Sequence, residues 1–313
     1  MTTTVLELPF GTDVTDVSVV PQTIQTMTLT YPMMPSPQAV PLDAQPTTAV
    51  YADPAIYSSA QYYPTAWFDY STGGGINDNG QHVTYLVIRT FPVRVSSATN
   101  TVQYFQNAVI TFNYKAPTTP KVFGSNPNGY ELVIIAPQAF ASTLQPLIQE
   151  KIGHGINTTL MTLEDIYANY TGYDKPEQIK YAIKAALENP DWNVHYVLLV
   201  GGMKGYLLGN GGKDNVNAGV TTWYFPVRYT NMDEGGTEHD PGFITDLYFA
   251  DIYNANGSFS TWDSNGDHVY GDWLYGHANH DIVDLYPDVA IGRLSARTTS
   301  ELKTMIDKII AYE

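Results

Sequence analysis

Asp263, Asn265 and Asp267 alternate in the stretch Trp262-Asp-Ser-Asn-Gly-Asp-His-Val-Tyr-Gly-Asp272, a spacing that turns every second side chain toward one point. Oxygen ligands so placed suit a hard cation, and the Val269 carbonyl and Asp272 carboxylate could complete a calcium shell. The loop departs from an EF-hand, because its twelfth position is Leu274 where a bidentate Glu is needed. It reads instead as an Asp-rich calcium turn. The surrounding tract favours a cation too. Residues 233–288 carry twelve Asp or Glu and no Lys or Arg, so their carboxylates repel unless solvent or an ion neutralises them. The competing reading is a solvated acidic loop.

Other groupings carry less. His277, His280 and Asp281 form a His-x-x-His-Asp cluster, but zinc hydrolases place a Glu base between a helical His pair and none stands here. Two solvated loop histidines are the plainer reading. Gly201-Gly-Met-Lys-Gly205 and Gly209-Asn-Gly-Gly212 fit neither the dinucleotide fingerprint nor the phosphate loop, and read as a strand-end turn. His195, inside an apolar run, reads as a core histidine. Asn157, Asn169 and Asn256 head Asn-x-Ser/Thr sequons, which permit glycosylation without showing it. There is no cysteine, which excludes disulfides, thiolate metal sites and a cysteine nucleophile within these residues.

The elements that must position these groups fall into two domains. Residues 1–122 read as an all-β, sandwich-like domain, with strands at 14–20, 26–31, 82–91 and 102–114. Gly73-Gly-Gly75 and Asn77-Asp-Asn-Gly80 are turn chemistry, and Ser96 to Asn100 a hairpin loop. Pro- and Asn-rich segments at 116–120 and 125–129 form the linker, which puts the boundary within 115–130. Residues 123–313 alternate strands near 131–136, 156–163, 194–200 and 289–291 with helices over 139–154, 175–189 and from Thr298 or Thr299 onward. That rhythm predicts a three-layer α/β domain with a mainly parallel sheet. Stretches 221–228 and 243–252 read as extended. The sequence stops at Glu313 in mid-helix, which reads as a cut.

The formal charge is −16, with 31 acidic and 15 basic residues, so the electrostatic footprint of a nucleic-acid binder is missing. No 18-residue apolar run offers a membrane span. The N-terminus lacks a signal-peptide pattern, as expected if any export signal were already removed. Richness in Tyr, Thr, Asn and Gly with few charges suggests a secreted, extracellular protein.

Five segments in series carry a resemblance: Tyr130-Glu-Leu-Val-Ile-Ile-Ala-Pro137, Tyr196-Val-Leu-Leu-Val-Gly-Gly202, Thr245-Asp-Leu-Tyr-Phe-Ala-Asp-Ile-Tyr253, Tyr286-Pro-Asp-Val-Ala-Ile-Gly-Arg-Leu294 and Ile306-Asp-Lys-Ile-Ile-Ala-Tyr-Glu313. In this order they resemble the gingipain-type cysteine peptidases, which have a caspase-like fold. The resemblance implies that residues 130–313 are the first of two α/β subdomains. The catalytic His and Cys would lie in the second subdomain, beyond this chain, and residues 1–122 would be the tail of a prodomain. One departure is Gly202, where the family commonly has an acidic residue. On this reading the chain is the N-terminal portion of a secreted cysteine endopeptidase. Its partners are the catalytic subdomain of the same parent protein and peptide or protein substrates, and it holds no catalytic residue of its own. The alternative is a calcium-stabilised extracellular binding or surface module of the same fold without a catalytic partner. On either reading a chain without a thiol does no thiolate chemistry alone.

Overall fold

The structure is a computed structural model and describes residues 1–35, 50–204, 223–233, 240–274 and 280–313. The chain divides into two compact units. The first comprises Met1–Leu8, Asp13–Thr72 and Tyr85–Ala116; the second comprises Pro9–Thr12, Gly73–Thr84 and Pro117–Glu313.

The β-branched and aromatic runs of the N-terminal region form β1 (Thr2–Pro9), β2 (Asp13–Pro21), β3 (Gln25–Thr28), β4 (Phe68–Ile76), β5 (His82–Thr90), β6 (Val93–Ser96), β7 (Thr101–Tyr104) and β8 (Ala108–Lys115), with a short helix α1 (Pro54–Tyr57). Strand β2 pairs antiparallel with β8, and β7 lies antiparallel between β3 and β6. A further sheet has the order β1-β5-β4. Leu8, Leu86 and Ile88 of that sheet share a core with Val17 and Val19 of β2, while Ile110 and Phe112 of β8 pack against it. These are two layers joined by alternate side chains, as period-2 patterning requires. The strand expected over 102–114 is two strands in different sheets, β7 and β8. They part at Phe105, which is buried against Trp67 with its N–H on the Pro92 carbonyl. Gly73-Gly-Gly75 is also not the expected turn and lies inside β4. The turn is Asn77–Gly80, closed by the Gly80 N–H on the Asn77 carbonyl (2.8 Å) with Gly80 at φ +71°.

In the second unit the elements are β9 (Leu132–Ala136), α2 (Ala141–Gly153), β10 (Thr158–Thr162), α3 (Leu163–Asn169), α4 (Lys175–Glu188), β11 (Tyr196–Val200), β12 (Arg228–Asp233), β13 (Asp240–Thr245), α5 (Leu247–Ala250), β14 (Trp273–Leu274), β15 (Ala290–Leu294) and α6 (Thr299–Tyr312). Four strands form one parallel sheet in the order β10-β9-β11-β15. Strand β9 is buried at all five positions, which is why its sequence is a continuous apolar run. Its side chains divide by parity. Val133 and Ile135, with Val197 and Leu199, pack with α3, α4 and α5. Leu132, Ile134 and Ala136, with Val200, pack with α2 and α6. The sheet is thus the middle of three layers. Side chains cap three helices: Thr162 accepts from the Asp165 N–H, Asp174 from Glu177 and Thr298 from Glu301. A smaller sheet has β12 between antiparallel β13 and parallel β14. The extended run expected over 243–252 instead turns into α5, whose Tyr248, Phe249 and Ala250 are buried in the core.

Candidate functional site

Strand β9 is flanked by its successor β10 on one side and by β11 on the other, so the chain reverses direction across the sheet at β9. Crevices outside the carboxyl ends of strands at such a reversal are where α/β sheets place ligands. Gly201 and Gly202 follow β11 there. Gly201 has φ +139°, and a Cβ on it would stand 2.9 Å from Phe225 atoms. Their N–H groups donate to the Leu294 and Ala296 carbonyls at 2.9 and 2.8 Å, which leaves neither to cradle a phosphate. Gly205, Gly209, Gly211 and Gly212 lie outside the described residues. From β15, the nearly buried Arg293 guanidinium grips both Asp246 oxygens (2.6 and 2.8 Å), donates to the Gly201 carbonyl at 3.1 Å and lies over the Phe225 ring. The fork holds the ends of β11 and β15 and the residue before α5 in one geometry. Phe140 and Tyr224 line this end with ring centroids 5.5 Å apart.

The same unit also buries several charged groups. Lys180 is fully buried on α4, donates to the Ser260 carbonyl at 2.5 Å and lies over the rings of Tyr248, Phe259 and Trp262. Burial pulls its pKa down to about 7, against the opposing pull of Asp251 and Asp288. Asp251 accepts from Trp262 Nε1 (2.5 Å) and Ser260 Oγ (3.2 Å), and burial raises its pKa. Asp288 is raised well above the carboxylate range by burial, although one oxygen accepts the N–H groups of Ile252 and Tyr253. Arg228 is buried in a two-point ion pair with Asp174. None of these pairs follows from sequence spacing, but Lys180 shares the α4 face of Pro176 and Ile183, so periodicity marks it as inward.

The acidic turn is organised by its own backbone. Asp263 accepts the His268 N–H at 3.3 Å and faces His268 Nδ1 at 3.1 Å. His268, at φ +64°, stacks on Tyr173. Asn265 accepts the Asp267 N–H (3.0 Å), and Asp267 accepts from Val269 N–H (2.8 Å) and from Asn265 Nδ2 (3.1 Å). Asp272 is buried, whereas Asn265 and Asp267 are exposed. Its N–H donates to Asp281, whose other oxygen accepts from the Ser264 N–H and Oγ. Asp281, grouped by spacing with histidines, is therefore the clamp that closes the turn across 17 residues. Asp263, Asp267 and the Asn265 amide carry lone pairs of the kind suited to a hard cation. Among the described residues no three His, Cys, Asp or Glu side chains converge as a metal site would. His277 lies outside the described residues. His195 is half-exposed just before β11, not a core residue, with its N–H on the Glu131 carbonyl.

A groove of about 470 Å³ between α2, α6 and the sheet includes Tyr196 and Ala290 at the strand starts, the opposite end from Gly201 and Arg293. Its lining is apolar except for Lys151 and Glu313, and it brings no reactive groups together.

The sequence model of Peptidase family C25 matches residues 125–313, about three fifths of the chain. No curated protein matches it. Among solved structures, the complex of Porphyromonas gingivalis RgpB pro- and mature domains is similar at 15% identity and TM-score 0.27, over 36% of this chain and 58% of that one. Dimeric latent PorU from Porphyromonas gingivalis is similar at 15% identity and TM-score 0.35, over 77% of this chain and 20% of that one. A structure described as a protease is similar at 18% identity and TM-score 0.31, over 60% of this chain and 29% of that one. The chain thus spans 58% or less of the length of each.

Proposed function

The chain belongs to peptidase family C25, the gingipain family, and on that premise we propose that it is the N-terminal portion of a secreted gingipain-like cysteine endopeptidase. The family match carries the reading, since it coincides with the three-layer unit built on β9, β10, β11 and β15. The chain has no cysteine. The thiolate and its histidine base are therefore assigned to residues downstream of Glu313, and no residue named above is catalytic. The role of this chain is to buttress the catalytic subdomain and to form one wall of a peptide cleft. The carboxyl ends of β11 and β15, held by Arg293 and Asp246, are the wall's proposed edge. Residues ahead of the family match are proposed as the tail of a prodomain. The protein is proposed to be secreted. No helix among the described residues is long and apolar enough to cross a membrane.

Calcium at the turn of Asp263, Asn265, Asp267, Val269 and Asp272 belongs to the same proposal. Its support is the charge of the tract, which has no Lys or Arg between residues 233 and 288. The turn's side chains serve backbone N–H groups here, so a bound ion would have to share the carboxylate lone pairs or rearrange them. The test of the peptidase reading is thiol-dependent cleavage. A protein extended by the downstream gene sequence should hydrolyse peptides and lose that activity on thiol alkylation, while residues 1–313 alone should not. A downstream sequence without a cysteine would favour a surface module instead.

A further inference from the structure

Residues 9–12 and 73–84 precede the family-matched segment yet belong to the same compact unit as it. Their contacts are close. A Cβ on Gly73 would lie 2.0 Å from the Tyr286 ring, one on Gly74 2.8 Å from the Asn254 carbonyl, and one on Gly75 2.7 Å from the Pro287 carbonyl. Three successive positions therefore exclude any side chain, and glycine is required for approach rather than for φ. The backbone is bound as well as pressed: the Gly74 N–H donates to Asp284 at 2.8 Å and the Ile76 N–H to the Pro287 carbonyl at 2.9 Å.

The returning strand is held at a second point. Thr84 Oγ1 donates to the Ala255 carbonyl at 2.7 Å and accepts from the Gly11 N–H at 3.0 Å. His82 stacks on Phe123 at 3.6 Å, with Phe10 edge-on at 5.5 Å and Tyr253 edge-on to Phe123 at 5.7 Å. His82 Nε2 stands 3.6 Å from the inner carboxylate of Asp288. Burial pulls the partly buried His82 down to about 4, and burial first and the Asp251 carboxylate second push the half-buried Asp284 up to about 7.

We propose that the surface formed by Ile252–Ala255 and Asp284–Asp288 is a receptor for a glycine-centred β-hairpin, that its occupant is this chain's own Gly73–Thr84, and that the α/β unit is incomplete without it. The folding unit then reaches back to Pro9, ahead of the family-matched segment. Without the hairpin, the Pro287 and Ala255 carbonyls lose their donors and the Phe123 ring loses the imidazole stacked on it. The clasp survives a cut in the linker, because its contacts are made before and after residues 117–120 and not through them. This inference is independent of the peptidase reading.

The test uses the full chain with a specific protease site placed within Pro117–Pro120 and cut after folding. The two fragments should co-elute on size exclusion, and Gly73→Val with Gly75→Val should make them elute apart. In a second measurement on the intact chain, Gly74→Ala should lower hydrogen-exchange protection of residues 74–76 and 284–288 by about tenfold or more, while β9 and β11 keep theirs. Separation of the wild-type fragments would overturn the proposal. So would co-elution of the double variant, or unchanged exchange at 284–288 in Gly74→Ala.

Discussion

Replacing Asp174 with Ala should destabilise the α/β unit severely. The carboxylate meets Arg228 Nη1 and Nη2 at 2.8 Å each, and Arg228 is fully buried. The guanidinium also donates to the Tyr248 hydroxyl at 3.2 Å and lies 3.5 Å from the Tyr270 ring centroid. Removing one partner of a buried pair strands the other's charge, at a cost of about 3–5 kcal/mol. Asp174 is in addition the N-cap of α4, accepting the Glu177 N–H at 3.0 Å, and loss of that cap costs about 1 kcal/mol. The expected loss is about 4–6 kcal/mol, a fall in Tm of roughly 10–20 °C for a unit of this size. Asp174→Asn keeps the cap acceptor and should lose about 3 kcal/mol. Adding Arg228→Met to Asp174→Ala should recover part of the loss, since no charge is then left buried. Urea unfolding followed by Trp fluorescence and far-UV circular dichroism measures all three. A loss under about 1 kcal/mol in Asp174→Ala, or strict additivity in the double variant, would refute the buried-charge argument.

Asp284 gives a pH dependence of definite sign. Burial first, and the nearby Asp251 carboxylate second, raise its pKa from 3.8 to about 7, so the folded chain retains a proton that the unfolded chain releases. That contribution is fully present near pH 4 and is lost as pH rises to 7; at 1.36 kcal/mol per unit, Asp284→Asn should gain on wild type by at most about 4 kcal/mol across the window. A pH-independent difference in urea midpoints between the two proteins would contradict it. Millimolar calcium should raise the Tm of the α/β unit and a chelator lower it, and Asp263→Asn with Asp267→Asn should abolish the response. Equal melting in calcium and chelator would remove the ion. Gly201→Ala should lower stability by about 2 kcal/mol or more, because the residue holds a conformation closed to L side chains with Phe225 in contact; a neutral change in thermal melting would count against the strand-end geometry.

The parts of this fold legible in the sequence were those written by local pattern. The apolar run of β9, Pro176 at the head of α4 and the Thr298 cap of α6 each mark an element by its own residues. Helix α3 escaped because it is seven residues long and follows β10 directly, and its Thr162 cap also closes the strand. Gly73-Gly-Gly75 reads as a turn because glycine most often supplies backbone freedom, whereas here it admits Tyr286 and the Asn254 and Pro287 carbonyls, all from distant parts of the sequence. The charged interior was illegible for the same reason. Asp174 and Arg228, Lys180 and Ser260, and Asp246 and Arg293 are joined only by tertiary packing. The alternation of Asp263, Asn265 and Asp267 was visible, but Asp281, which closes their loop, carries no signal of that role at its own position.

The central claim is that this chain is the non-catalytic part of a C25 cysteine endopeptidase. Its most direct test compares peptide hydrolysis by residues 1–313 with hydrolysis by the same residues joined to the downstream gene sequence, each with and without iodoacetamide. The account predicts cleavage only by the longer protein, abolished by alkylation. Turnover by residues 1–313 that survives repurification, or cleavage by the longer protein that alkylation leaves untouched, would contradict it.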